Sequence, residues 1–153
     1  MDNALLVFDD DDTGHELLDE AGTLAAGVDA KLTILTLMTA EEYDEVRETL
    51  DTVATEEHTS YDDNVVLDAA AREARDAAED VLDEVDVDWQ VAAARVGDNE
   101  TAADRILATA DDTDADHVFV PGRQRSPTGK AVFGDRAQSV ILNFDGPVTT
   151  LLY

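Results

Sequence analysis

Apolar residues along this chain fall into two alternating rhythms. Short apolar runs stand at residues 4–8, 32–38, 89–96, 117–120 and 147–152. Runs of that length, bounded by acids, glycine or turn residues, predict buried β-strands. Between them the apolar positions recur every three or four residues, the period of a helix with one buried face. Leu17, Leu18, Ala21, Leu24 and Ala25 form the first such face, with Gly27 as its end. Tyr43, Val46, Leu50 and Val53 form the second, and a polar stretch at 55–60 interrupts it. Val66, Ala70, Ala74, Ala77, Val81 and Val85 mark one side of a long helix whose other sides are acids and arginines. Ala102, Ile106, Leu107 and Ala110 form a fourth face after a Gly97-Asp98-Asn99 turn, and residues 137–142 a fifth. Two helix starts carry a capping-box pattern, Thr13-Gly14-His15-Glu16 and Thr39-Ala40-Glu41-Glu42.

The order is β-α-β-α-β-α-β-α-β. Strands joined through helices run parallel, and right-handed crossovers place helices on both faces of the sheet. The expected fold is therefore α/β, a single doubly wound domain over residues 1–153 with a five-stranded parallel sheet. No linker divides the chain and no internal repeat is visible. In such folds ligands bind beyond the carboxyl ends of the strands, where the strand order switches.

Charge changes this picture in two ways. The chain holds 37 Asp and Glu against ten Lys and Arg, for a formal charge of -27, and the acids are spread throughout. Only Lys31 and Lys130 are lysines. The pattern resembles proteins of salt-accumulating halophiles, in which concentrated cations screen the self-repulsion. A polyanion of this kind is not expected to bind nucleic acid or an anionic membrane. With no cysteine in the chain, disulfides, thiol catalysis and thiolate metal sites are excluded. The N-terminal stretch has no basic start of a secretion signal, and no apolar run spans a bilayer, so a cytoplasmic location is expected.

The second change is local. Residues 122–136 carry Arg123, Arg125, Lys130 and Arg136, four of the ten bases, with Asp135 as the one acid. Gly122, Gly129, Gly134 and Pro127 lie in the same segment. Glycine amides, a helix start and cationic side chains together make a place for phosphate. The segment is not a Walker A loop, because six residues separate Gly122 from Gly129 and Ala131 stands where the magnesium-binding hydroxyl would be.

Several stretches together resemble the universal stress protein family, over nearly the whole chain. Val7-Phe8-Asp9 resembles that family's first strand closing on an Asp. Ile34-Leu35-Thr36-Leu37 resembles its second strand, and Gly97 the glycine after the third. His117-Val118-Phe119-Val120-Pro121-Gly122 resembles its fourth strand and following glycine, and Asp145-Gly146-Pro147-Val148 the entry into its fifth. The resemblance implies the adenine-nucleotide alpha-hydrolase-like fold, binding of ATP or AMP, magnesium as an accompanying ion, and a stress-response or regulatory role. It implies homodimerisation through the last strand, Val148 to Leu152. No nucleophile-base pair with an orienting group is visible in the sequence, so a binder is expected and not a catalyst. Carried over by position, Asp9 would meet adenine or ribose, the backbone at Leu37 would edge the adenine, and Gly122 and Gly134 would lie against phosphates.

This chain departs from the family's signature of G-x-x-G, nine residues, then G-S or G-T. Arg125 replaces the second glycine, eight residues separate it from Gly134, and Asp135 and Ala137 replace hydroxyl residues. A carboxylate at Asp135 repels phosphate unless it turns away or binds a cation. Arg123, Arg125 and Lys130 have no strict counterpart in the signature. They would supply by charge what the missing hydroxyls and glycine do not. The alternative is a nucleotide-free member acting through dimer contacts alone.

A competing chemistry is carried by Asp9, Asp11 and Thr13, a D-x-D-x-T that resembles the first motif of haloacid-dehalogenase-type phosphatases. Asp9 would be the phosphoryl acceptor, Asp11 the acid-base, and magnesium would bind both. Gly97-Asp98 with Asp104 imitates a later acidic motif. That chemistry needs a lysine between the two motifs, and none lies between Lys31 and Lys130. Lys130 also follows the fourth strand, a poor match to a receiver domain. His15, His58 and His117 lack metal-ligand spacing, and His117, Trp89 and Phe119 are expected to be structural.

Overall fold

The computed structural model describes residues 1–57, 63–123 and 134–153. The described residues form ten elements, in the expected order except that two helices in succession, α2 and α3, join β2 to β3: β1 (Asn3–Val7), α1 (Asp12–Gly27), β2 (Lys31–Met38), α2 (Ala40–Glu57), α3 (Asp63–Val81), β3 (Asp88–Arg95), α4 (Ala102–Asp112), β4 (His117–Gly122), α5 (Asp135–Asn143) and β5 (Val148–Leu152). The five strands form one parallel sheet in the order β3-β2-β1-β4-β5. The chain builds outward from β1 to β3, then returns to the other side of β1 to place β4. The order switches between β1 and β4, and the crevice beyond their carboxyl ends is where this fold class holds ligands.

Neighbouring strand residues point to opposite faces, and both faces are covered. Leu6, Phe8, Leu32, Ile34 and Phe119 pack with Leu17, Leu18, Ala21, Ala74 and Ala78 of α1 and α3. Leu5, Val7, Leu35, Val118 and Val120 pack on the opposite face with Ala103, Ile106, Ala137 and Val140 of α4 and α5. Two-sided burial explains why the central strands read as unbroken apolar runs instead of alternating ones. Each fully buried Leu, Ile, Val or Phe stabilises the fold by about 1.5–3 kcal/mol relative to exposure.

Local expectations are corrected at several points. Helix α1 is capped by Asp11, whose Oδ1 accepts from the Gly14 amide at 2.7 Å, and not by a Thr13 box. Asp11 is itself a good capping residue standing two positions earlier, so the helix begins inside the acidic run. The second box is present: Thr39 Oγ1 accepts from the Glu42 amide at 3.1 Å and Glu42 Oε2 from the Thr39 amide at 3.3 Å. Leu24 is 47% exposed, because it stands at the rim of the stripe made by Leu17, Leu18, Ala21, Gly22 and Ala25. On α3 the buried stripe includes Ala71 and Ala78, while Ala70 and Val81 pack only at its margin; the helix ends at Val81, so buried Leu82 and partly buried Val85 lie in the turn beyond it and not on its face. Alanines on several sides of that helix carry little information about which side turns inward. Leu50, Val53 and the polar residues 58–60 lie outside the described side chains.

Candidate functional site

Strand β1 delivers Asp9 to the switch crevice. The amide of Phe8 donates to Leu35 O at 2.8 Å, which continues the sheet ladder past the last strand residue. The chain then turns sharply into α1, with Asp11 N donating to Asp9 O at 2.9 Å. Gly14 makes that turn fit. A Cβ at Gly14 would stand 1.7 Å from Asp9 O, a distance no side chain tolerates. The position of Asp9 thus depends on a glycine five residues on.

Leu37 reaches the same edge on the neighbouring strand. Val7 pairs with Leu35 in the parallel register, so Asp9 and Leu37 lie two residues beyond that pair on each path. Leu37 lines a cavity of about 380 Å³ between the end of β2 and helices α2 and α3. Glu42, Glu45 and Glu73 stand on its walls.

On the other side of β1, β4 delivers Gly122 and Arg123. Gly122 is buried and pairs with Leu152 of β5, and its carbonyl accepts from the Tyr153 amide at 3.1 Å. Arg123 Nε donates to the Tyr153 hydroxyl at 3.3 Å. That hydrogen bond, with the smaller influence of Asp9, holds the Arg123 pKa above its ordinary value. Arg125 and Lys130 lie outside the described residues.

Gly134 comes back to the same place. It is the N-cap of α5 with φ of 84°, a left-handed conformation that favours glycine, and it brings no side chain to cap the helix. A Cβ at Gly134 would lie 3.7 Å from Arg123 Cβ, so the two are neighbours across the site. Asp135 is exposed in the first turn of α5.

Arg136 supplies the contact that the sequence reading did not place. Its guanidinium forks onto the Asp9 carboxylate, Nη2 to Oδ2 at 2.6 Å and Nη1 to Oδ1 at 3.1 Å. A cation in the first turn of a helix opposes the helix dipole. Its presence there, two residues after a capping glycine, was the available sign that a carboxylate from elsewhere lay opposite. The structure therefore brings Asp9, Gly122, Arg123, Gly134, Asp135 and Arg136 to the carboxyl edge of β1 and β4, with Leu37 beside them on β2.

The acids of the competing phosphatase motif have other partners. Asp11 caps α1, and Asp104 forms a reciprocal capping box with Thr101 at the start of α4. The Thr101 amide and hydroxyl hold the Asp104 pKa below its ordinary value. Gly97, the glycine after β3, donates its amide to Glu100 Oε1 at 3.1 Å, and Glu100 forks with Arg105 at 2.8 and 2.9 Å. Arg105 foremost, then the Gly97 amide, lowers the Glu100 pKa. Among the described residues no group of three or more His, Asp or Glu is placed to hold a metal ion. No helix of the described residues is long and apolar enough to cross a membrane. His117 is structural, with Nε2 2.8 Å from Thr149 Oγ1 and its ring stacked on Phe119.

Comparison with known proteins agrees with the fold. The family model described as "Universal stress protein family" matches residues 1–151. A search of curated proteins finds no match. A solved universal stress protein in complex with cAMP is 20% identical, with 99% of this chain and 96% of that one covered and a TM-score of 0.65. The universal stress protein from Archaeoglobus fulgidus in complex with dAMP is 16% identical, with coverage of 98% and 96% and a TM-score of 0.62. A universal stress protein from Lactobacillus plantarum is 18% identical, with coverage of 98% and 97% and a TM-score of 0.66.

Proposed function

Since this chain belongs to the universal stress protein family, we propose that it binds an adenine nucleotide, ATP or AMP, in the crevice between β1 and β4 and serves a stress-response or regulatory role as a binder. The observation that carries the reading is the gathering of Asp9, Gly122, Arg123 and Gly134 at the switch in strand order. Similar folds solved with cAMP and dAMP support it. In this reading Asp9 meets ribose or adenine, the Leu37 backbone edges the base, and the Gly122 and Gly134 backbone lies against phosphates. Arg123, Arg125 and Lys130 add charge, and Asp135 turns outward or faces a cation. Magnesium would arrive with the phosphates of ATP, since the described carboxylates form no cluster for it.

Denaturing the protein after purification at high salt, and analysing the supernatant, tests this directly. Released adenine nucleotide, or a saturable calorimetric response to ATP, is the expected result. Neither one appearing would favour a second reading, a nucleotide-free member acting through protein contacts. The Arg136–Asp9 fork favours that second reading, because it already occupies both oxygens of the carboxylate a ligand would use.

We further propose a homodimer formed through β5, a cytoplasmic location and a halophilic source. Support for the dimer is that β5 is an edge strand, paired among the described residues with β4 alone, with Leu152 38% and Tyr153 49% exposed beside it. Support for the halophilic source is the charge of -27 with two lysines. Sedimentation of the protein, and of a Thr150→Pro variant on the open edge, tests the dimer; an unaltered protein that stays monomeric at all concentrations removes it.

A further inference from the structure

The Arg136–Asp9 fork does more than neutralise two charges. It joins the loop after β1 to the first turn of α5, residues 127 positions apart in sequence. Asp9 is 31% and Arg136 28% exposed, so the pair is open to water and to exchange with another charged partner. Every other helix start described with a capping contact is served by its own neighbourhood: α1 by Asp11, α2 by Thr39, α4 by Thr101. Helix α5 begins instead at a glycine and places a guanidinium at its second residue. Arg136 also lines a cavity of about 360 Å³ between the starts of α4 and α5, so there is space beside its present position.

A carboxylate accepts hydrogen bonds and cannot donate, and a guanidinium donates and cannot accept. An adenine nucleotide brings both complements, donors on ribose and base for Asp9 and an acceptor phosphate for Arg136. We infer that Arg136 is a phosphate-binding residue of this site that changes partners, held by Asp9 in the empty protein and transferred to the ligand's phosphate on binding, which frees Asp9 for the nucleoside. The inference rests on the nucleotide reading above and adds to it a residue and a discrimination. A nucleoside without phosphate must compete with Arg136 for Asp9, whereas a nucleotide gives Arg136 a replacement. The site therefore prefers phosphorylated over unphosphorylated adenosine by a mechanism internal to the protein.

The test is calorimetric titration of the full chain in molar KCl, with AMP, adenosine and inorganic tripolyphosphate as probes. Arg136→Gln is expected to weaken AMP about tenfold, the size of a lost hydrogen bond to a charged group. The same change is expected to tighten adenosine about two- to fivefold, the strength of a part-exposed ion pair no longer competing. Opposite signs are the signature, since general damage weakens both ligands and lost positive charge weakens AMP without tightening adenosine. Asp9→Asn is the independent arm: it frees Arg136, so tripolyphosphate tightens about two- to fivefold while adenosine weakens. Asp10→Asn removes the same charge without touching the fork and is expected to leave tripolyphosphate nearly unchanged. Shifts of equal sign for AMP and adenosine, or equal gains from Asp9→Asn and Asp10→Asn, overturn the exchange while leaving nucleotide binding standing. No binding of AMP or adenosine by the unaltered protein overturns the nucleotide reading and the exchange together.

Discussion

The starts of α4 and α5 stand at the same edge of the sheet and solve the same problem in opposite ways. At α4 the capping and charge contacts are made within a few residues. Thr101 and Asp104 cap each other, Glu100 takes the Gly97 amide, and Arg105 closes on Glu100. At α5 the cap is a bare glycine, and the one cation of the first turn reaches across the crevice to Asp9. A helix start whose side chains are paired with one another offers a ligand no free charge. A helix start that borrows its counter-charge from another element can return it. The difference teaches that the basic, glycine-rich composition after β4 matters less than where its partners come from.

The largest effect is expected at the residue that sets Asp9 in place. Gly14→Ala drives a Cβ into Asp9 O, and should cost about 2–3 kcal/mol in chemical denaturation, with nucleotide affinity lost as well. If that variant keeps full stability and affinity, the turn is not what positions the site. A smaller effect is expected at the self-contained start. Thr101→Ala removes one half of the capping box and should cost about 1 kcal/mol while AMP affinity stays the same. A drop in affinity equal to that of the α5 variants would erase the contrast between the two starts. Arg125→Ala is expected to weaken AMP about threefold through lost charge, with stability unchanged; intact affinity would make it a surface charge.

The smallest effect concerns pH. Burial first of all pushes the His117 pKa below the ordinary 6.5, despite the opposing influence of Asp116. A histidine with a lowered folded pKa favours the fold while neutral. Its contribution is fully present above the unfolded value near 6.5 and is lost as pH falls toward the folded value. Stability should therefore decline below about pH 6.5, and His117→Gln should flatten that part of the profile. A profile identical in both proteins would remove His117 as its cause. The decline should leave the crevice between β1 and β4 untouched, since His117 contacts Thr149 and Phe119 at the opposite end of β4.

Much of the fold was legible because a doubly covered parallel sheet writes a strong pattern. Short apolar runs such as Leu32 to Met38 and Val118 to Val120, rich in β-branched residues and bounded by polar or turn residues, read as buried strands, and their order allows few topologies. Finer features were hidden where the chain repeats one residue type. Four consecutive aspartates concealed that Asp11, not Thr13, caps α1, and the alanines of α3 concealed its inward side. The candidate site was legible as Asp9, Gly122 and Gly134, each at the end of an element. Arg136 was visible as a charge but not as a contact, because its partner lies far off in sequence, in the loop after β1, and only the β1–β4 adjacency brings them together. Asp104 only imitated an acidic motif, for the converse reason that its partner Thr101 is local and its role is a cap.

The comparison of the two helix starts is tested most directly by following backbone amide resonances of the labelled protein as AMP is added in molar KCl. The account predicts saturable shifts concentrated at Asp9, Gly122, Arg123, Gly134, Asp135 and Arg136, with Gly97 and residues 98–104 almost unmoved. Shifts centred on the start of α4, or no saturable shifts at all, would contradict it.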